Sequence, residues 1–248
     1  MKLIMLKGIS KTGKTTTAES IIKGLISRGY SVGTIKDIHF EEFTIETEGT
    51  NTDRHKKAGA ELVTARGLKE TDIMFNSKLN CEDILKNYNQ DWVVLEGDCG
   101  ANSPNIITGR TTEELDEQIN SLTIGIAGVI SKELEEYKGL PVFNGIENPD
   151  QLLEFILEKT PVRMPNYDLN CCTLCGEKGC RGLLADMLSG KRNRSECKVM
   201  EGDIKLLFNG EEIMIVDFVK DILKGSLKGM VESLKGYEEG TEVTIKFK

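Results

Sequence analysis

The stretch Leu3-Ile4-Met5-Leu6-Lys7-Gly8-Ile9-Ser10-Lys11-Thr12-Gly13-Lys14-Thr15-Thr16 decides how this chain is read. Leu3 to Leu6 is an uninterrupted apolar run of the kind that forms a buried strand. Gly8 to Thr15 fits G-x-x-x-x-G-K-[ST] in full. From Thr15 to Ser27 the residues Ala18, Ile21, Ile22, Leu25 and Ile26 recur at helical spacing. Strand, glycine-bearing loop and helix in that order form the context a phosphate loop requires. Backbone N–H groups turn inward around phosphate oxygens, and the helix N-terminus adds partial positive charge. The candidate nucleotide-binding residues are Gly8, Ser10, Lys11, Thr12, Gly13, Lys14, Thr15 and Thr16. Lys14 is expected to reach the β- and γ-phosphates, and Thr15 to place its hydroxyl on Mg²⁺.

Outward from this loop, apolar strands alternate with helical stretches. Strands are expected at Ser31–Ile35, Glu61–Thr64, Trp92–Leu95, Asn105–Ile107, Leu122–Ile130 and Pro141–Phe143, with helices at Glu113–Ile119 and Pro149–Glu158. The alternation predicts an α/β fold of the P-loop NTPase type, with a mainly parallel sheet and helices on both faces. Residues 37–57 are polar without a clear period and read as a long functional loop. Trp92-Val93-Val94-Leu95-Glu96-Gly97 is an apolar strand ending in a carboxylate. Glu96 is therefore a candidate, with Lys14, for the catalytic set, holding Mg²⁺ or orienting an attacking water; Asp98 is the alternative. Ligands bind beyond the carboxyl ends of strands in such sheets. That places Lys36, Asp37 and His39 at the same crevice, as a nucleotide-sensing loop, a second ligand site, or polar loop residues without a role.

Composition narrows the classes. Among 248 residues, 40 acids against 32 bases give a net charge of -8, which argues against a nucleic-acid partner. No apolar run approaches the roughly 20 residues of a membrane helix. The first residues are too short an apolar stretch for a signal peptide, so a cytoplasmic location is expected. An odd cysteine count, 7, in such a chain speaks against a disulfide framework. Cys81 and Cys99 are read as lying outside any metal site.

The other cysteines cluster. Cys172-x2-Cys175-x4-Cys180-x16-Cys197 can close four thiolates around a [4Fe–4S] cluster or a tetrahedral Zn²⁺. Only the first pair is C-x2-C, whereas structural zinc sites usually bring two close pairs, so the cluster is favoured over zinc. The segment resembles a small iron–sulfur motif of electron-transfer and corrinoid proteins, with Gly176, Leu183–Leu188 and Gly190 in place. Further on, Asn209-Gly210 between two apolar runs marks a tight hairpin. Phe218, Val219, Ile222, Leu223, Leu227, Met230, Val231 and Leu234 follow at helical spacing, and Val243–Phe247 reads as a closing strand. The expected organisation is a nucleotide-binding domain over 1–160, a Cys-rich metal module over 161–200 and a small α+β unit over 201–248.

Taken together, several segments resemble the MobB family of molybdopterin-guanine dinucleotide biosynthesis over roughly residues 1–158. They are Gly8 to Thr16, Thr34-Ile35-Lys36, Thr52-Asp53-Arg54-His55-Lys56-Lys57-Ala58-Gly59-Ala60 and Val94-Leu95-Glu96-Gly97. The resemblance implies a dimeric P-loop protein that binds GTP with Mg²⁺, hydrolyses it weakly, and assists an enzyme of molybdenum or tungsten cofactor guanylylation or insertion. The chain departs from the family pattern in keeping only His39 after Thr-Ile-Lys, and in carrying Asp98 and Cys99 after Glu-Gly. Two other readings stand beside it. One is an ATP-coupled iron–sulfur redox protein or reductive activator. The other is a non-catalytic adaptor whose nucleotide organises a dimer.

Overall fold

The structure is a computed structural model that describes residues 1–40, 43–164, 179–197, 206–208, 211–213 and 217–238. These fall into two compact units, Met1–Asn166 and Tyr167–Lys248. In the first, the chain runs β1 (Lys2–Lys7), α1 (Lys14–Ser27), β2 (Val32–Lys36), α2 (Asn51–Lys57), β3 (Leu62–Arg66), β4 (Thr71–Phe75), α3 (Cys81–Leu85) and β5 (Trp92–Glu96). It continues through β6 (Asn105–Thr108), α4 (Thr112–Asp116), β7 (Thr123–Ala127), β8 (Glu136–Tyr137), β9 (Leu140–Pro141) and α5 (Pro149–Lys159).

Five of the strands form one parallel sheet in the order β2-β5-β1-β6-β7. The strand that leads into the phosphate loop is central, so Ile4, Leu6, Val94 and Ile106 are buried on one face and Leu3, Met5, Val93 and Leu95 on the other. Near-continuous apolar strands of this kind are what covering on both faces demands. Helix α1 packs on β1, β5 and β2 and lies against α5. Their approach is close: a Cβ on Gly24 would come within 2.8 Å of the Leu153 side chain. On the opposite face Cys81 and Leu85 of α3 join Leu3, Met5, Ile35, Val93 and Leu95, and Leu115 of α4 joins Ile107 and Ile126.

Three expectations are corrected. The run at Glu61–Thr64 is not part of the alternation that builds the sheet: β3 pairs antiparallel with β4, which the sequence reading did not identify, in a separate hairpin. The polar segment 37–57 holds a short helix, α2, capped by the Thr50 side chain accepting from the Asp53 N–H; with no buried residue, it carries no apolar period to read. The strand expected to run to Ile130 stops at Ala127, because Gly128 turns the backbone at φ 87 into a 3₁₀ turn, Val129–Lys132. A disulfide also joins Cys81, at the start of α3, to Cys99, after β5, with Cα atoms 5.4 Å apart. The pairing is tertiary, and an odd cysteine count gives no hint of it.

In the second unit, α6 (Gly179–Leu188) buries Cys180, Leu183 and Leu184 on one side. After it, the Asn193–Glu196 capping box forms a short 3₁₀ turn that leads to Cys197, also buried. β10 (Leu206–Phe208) and β11 (Glu211–Ile213) pair antiparallel with Phe208 opposite Glu211, as a two-residue hairpin at Asn209-Gly210 requires. α7 (Asp217–Val231) follows. Cys172, Cys175 and the expected closing strand lie outside the described residues. No helix among the described residues is long and apolar enough to cross a membrane.

Candidate functional site

The carboxyl ends of β1, β2 and β5 open onto a cleft of about 1000 Å³. It is lined by the phosphate loop, by Lys36, Asp37 and His39 from the end of β2, and by Glu96 from the end of β5. Adjacent strands bring these groups together in register, since Lys36 pairs with Glu96 and Leu6 with Glu96. Lys7, Ile38, Phe40, Gly97, Asp98 and Gln118 complete the lining, and the sequence motifs do not point to them as a set.

Helix α1 begins at Lys14 with Gly13 as its N-cap. Gly13 offers no side-chain acceptor and the first turn carries no acid, so neither competes with an anion for the first N–H groups. The Lys14 ammonium folds back over the loop, donating to the carbonyls of Gly8, at 2.5 Å, and Ile9. Partial burial holds it below the ordinary lysine range, with Glu96 opposing and Lys36 adding to that shift.

The Thr15 hydroxyl donates to Glu96 Oε1 at 2.8 Å, and Lys36 Nζ donates to the same oxygen at 2.8 Å. Burial pushes the Glu96 carboxyl up, but the hydrogen bonds from Lys36 and Thr15 and the charges of Lys36 and Lys14 outweigh it and hold the group below the usual range. A hydroxyl and an ionised carboxylate converging beside a helix N-terminus are the oxygen donors that Mg²⁺ takes. Asp98 lines the same cleft and pairs there with Lys7 at 2.5 Å. Asp37 accepts a contact from His39 Nε2 at 3.1 Å, and its backbone N–H donates to the Glu96 carbonyl at 2.8 Å.

One residue of the motif also supports the loop from beneath through its side chain. The Thr12 side chain is fully buried under the loop rather than facing the cleft. Its hydroxyl lies 2.7 Å from that of Thr108, at the end of β6, and 2.9 Å from the Ile9 carbonyl. Thr108 in turn donates to the Lys7 carbonyl at 3.1 Å. Gly8 must be glycine because a Cβ there would sit 2.2 Å from the Thr108 hydroxyl. Val129 N–H donates to the Thr12 carbonyl at 3.1 Å, so the ends of β6 and β7 together form the floor of the loop.

In the second unit the two described cysteines of the four-cysteine pattern, Cys180 and Cys197, are 4% and 2% exposed. On the turn before Cys197, the Arg194 Nε and Nη1 atoms are buried without a hydrogen-bond partner among the described residues. Those residues contain no group of three or more His, Cys, Asp or Glu side chains that could hold a metal ion.

The sequence profile of the family described as molybdopterin guanine dinucleotide synthesis protein B, MobB, matches residues 3–132, just over half of the chain. A Methanocaldococcus jannaschii protein, named as a molybdopterin-guanine dinucleotide biosynthesis adapter, is 29% identical over 252 residues, spanning 99% of this chain and 97% of its own. That similarity extends through the cysteine segment to the C-terminal unit. A Bacillus subtilis protein named for the same role is 28% identical over 148 residues, covering 57% of this chain and 84% of its own. The crystal structure of Bacillus subtilis MobB superposes with a TM-score of 0.55 at 23% identity, covering 64% of this chain and 97% of that one.

Proposed function

The chain belongs to the MobB family, and from that membership and the geometry of its cleft we propose that it is an adapter in molybdopterin guanine dinucleotide biosynthesis that binds GTP with Mg²⁺ and hydrolyses it slowly. The observation that carries the reading is the convergence of Lys14, Thr15 and Glu96 at the phosphate loop. Mg²⁺ would be held by Thr15 and Glu96 and would supply charge neutralisation to the phosphates. Lys14 and the N-terminus of α1 bind the phosphate oxygens. The hydrogen bonds from Lys36 and Thr15 hold the Glu96 carboxyl below the usual carboxylate range and so favour the anion that a bound cation needs. The preference for GTP over ATP rests on the family alone.

The second unit adds a metal site under this proposal, with Cys172, Cys175, Cys180 and Cys197 holding a [4Fe–4S] cluster in preference to Zn²⁺. Its support is the spacing, the burial of Cys180 and Cys197, and the buried guanidinium N–H groups of Arg194, which suit an anionic cluster. The expected homodimer draws support from the β3–β4 hairpin, which exposes Leu62, Leu68, Ile73 and Phe75; sedimentation at the monomer mass would remove it. The partner is an enzyme of cofactor guanylylation or insertion.

Anaerobically purified protein titrated with GTP and ATP, with iron, sulfide and zinc determined on the same sample, tests both halves. GTP binding that is lost in Lys14→Ala and weakened by chelating Mg²⁺ is expected, with about four iron and four sulfide per chain. Absence of nucleotide binding overturns the first half. Stoichiometric zinc, or no metal, overturns the second. Tighter ATP binding with a nucleotide-dependent cluster potential would replace the adapter with a redox activator.

A further inference from the structure

We propose that Cys81 and Cys99 form a reversible thiol–disulfide pair that couples the redox state around the protein to its nucleotide affinity; the inference rests on the nucleotide-binding reading of the cleft.

Cys99 lies three residues past Glu96, in the irregular segment that leaves the cleft. Its neighbours border the phosphate loop directly. Asp98 pairs with Lys7 at 2.5 Å, and the Gly97 N–H donates to the Leu6 carbonyl at 3.0 Å. A Cβ on Gly97 would come 2.7 Å from that of Asp37, so this segment also supports the end of β2. Gly97, Asp98 and Asp37 all line the cleft. The disulfide ties the segment to the first residue of α3, whose Cys81 is buried among Leu3, Met5, Leu95 and Ala101. It is therefore a covalent link between the apolar core and the wall of the nucleotide site.

The two sulfurs differ in a way that suits exchange. Cys99 is partly exposed whereas Cys81 is buried, so an external reagent meets Cys99 first. In oxidation the Cys99 thiolate attacks a sulfur of an external disulfide, R–S–S–R, whose S–S bond breaks and releases one thiolate. Cys81 then gives its proton to solvent and attacks the Cys99 sulfur of the mixed disulfide, releasing the second thiolate. The two cysteines lose two electrons and the external disulfide gains them, ending as two thiols. A dithiol reverses both steps. The Cα separation of 5.4 Å lies within the range a disulfide spans, so making or breaking the bond requires no rearrangement of β5 or α3. What changes is the freedom of the Gly97–Cys99 segment, and with it the positions of Asp98 and Asp37.

Coupling of this kind is reciprocal. The full chain, equilibrated anaerobically in reduced or in oxidised dithiothreitol, is titrated with GTP and Mg²⁺, and the Cys81–Cys99 bond is followed by alkylation and peptide mass mapping. We expect affinity in the oxidised state to be about fivefold or more higher, and GTP to shift the Cys81–Cys99 equilibrium towards the disulfide by the same factor. The double variant Cys81→Ser/Cys99→Ser should bind GTP with no redox dependence. If it does not fold, Cys99→Ser alone, at the more exposed partner, serves the same comparison. Equal affinity in the two states, redox dependence that survives in the variant, or alkylation of both thiols after oxidation overturns the proposal. Absence of GTP binding in either state overturns the nucleotide reading and the proposal with it, whereas binding without redox dependence overturns the proposal alone.

Discussion

The floor of the phosphate loop makes Thr108 a residue whose loss should be felt at the nucleotide. Thr108→Val keeps the side-chain shape and removes the hydroxyl. Thr12 and Thr108 are both fully buried, and their hydroxyls make three contacts: with each other at 2.7 Å, from Thr12 to the Ile9 carbonyl at 2.9 Å, and from Thr108 to the Lys7 carbonyl at 3.1 Å. Two hydroxyls supply two protons, so two of the three contacts are hydrogen bonds at any moment. The substitution leaves Thr12 bonded to Ile9 and strips the Lys7 carbonyl of the Thr108 proton. One lost bond at about 1 kcal/mol, plus about 1 kcal/mol for a buried acceptor left facing a methyl, gives a destabilisation of about 2 kcal/mol. For a unit the size of Met1–Asn166, that lowers Tm by roughly 4–8 °C. Calorimetry measures the stability, and GTP titration should show weakened binding, because the displaced loop bears the phosphate-facing N–H groups. Wild-type Tm and wild-type affinity in Thr108→Val would refute the argument that β6 supports the loop.

Two further outcomes follow from the same geometry. Gly128→Ala places a Cβ 2.2 Å from the Thr12 carbonyl at φ +87, whereas Gly139→Ala, at φ +77, meets nothing within 4 Å. Urea unfolding should show about 3 kcal/mol or more lost at position 128 and only about 1 kcal/mol at position 139; equal losses would show that the clash is relieved elsewhere. Glu96→Gln should lower stability at neutral pH by less than about 1 kcal/mol, because the Lys36 side chain is 56% exposed and its attraction screened. The Glu96 carboxyl is depressed in the fold, so its contribution is present above the unfolded carboxylate range and disappears as pH falls through the folded value. Melting curves between neutral and acid pH should show the two proteins converging as pH drops; a widening gap would contradict the sign.

What the sequence determines here is local. Strand, loop and helix around Gly8–Thr15 are neighbours along the chain, so the helix N-terminus and its lysine can be read from spacing alone. The apolar run ending at Glu96 marks a buried strand because burial on both faces leaves an unbroken hydrophobic signature. The pairing of β10 with β11 is legible for another local reason, the Asn-Gly dipeptide between two apolar runs. Long-range relations are silent in the sequence. β4 and α2 bury no residue and β3 buries only Val63, so little apolar pattern marks where they pair. Thr12 reads as one more motif residue until β6 places Thr108 beneath it. Asp98 could have served the metal as well as Glu96 until the register of β5 against β1 and β2 turned Glu96 to Thr15 and Lys36 and left Asp98 with Lys7. Cys81 and Cys99 are 18 residues apart, and only the packing of α3 against the sheet brings them together. Spacing along one element is set by bonds and hydrogen-bond periodicity, whereas partners across the sheet are set by which apolar faces bury each other, and that is decided only when the whole chain folds.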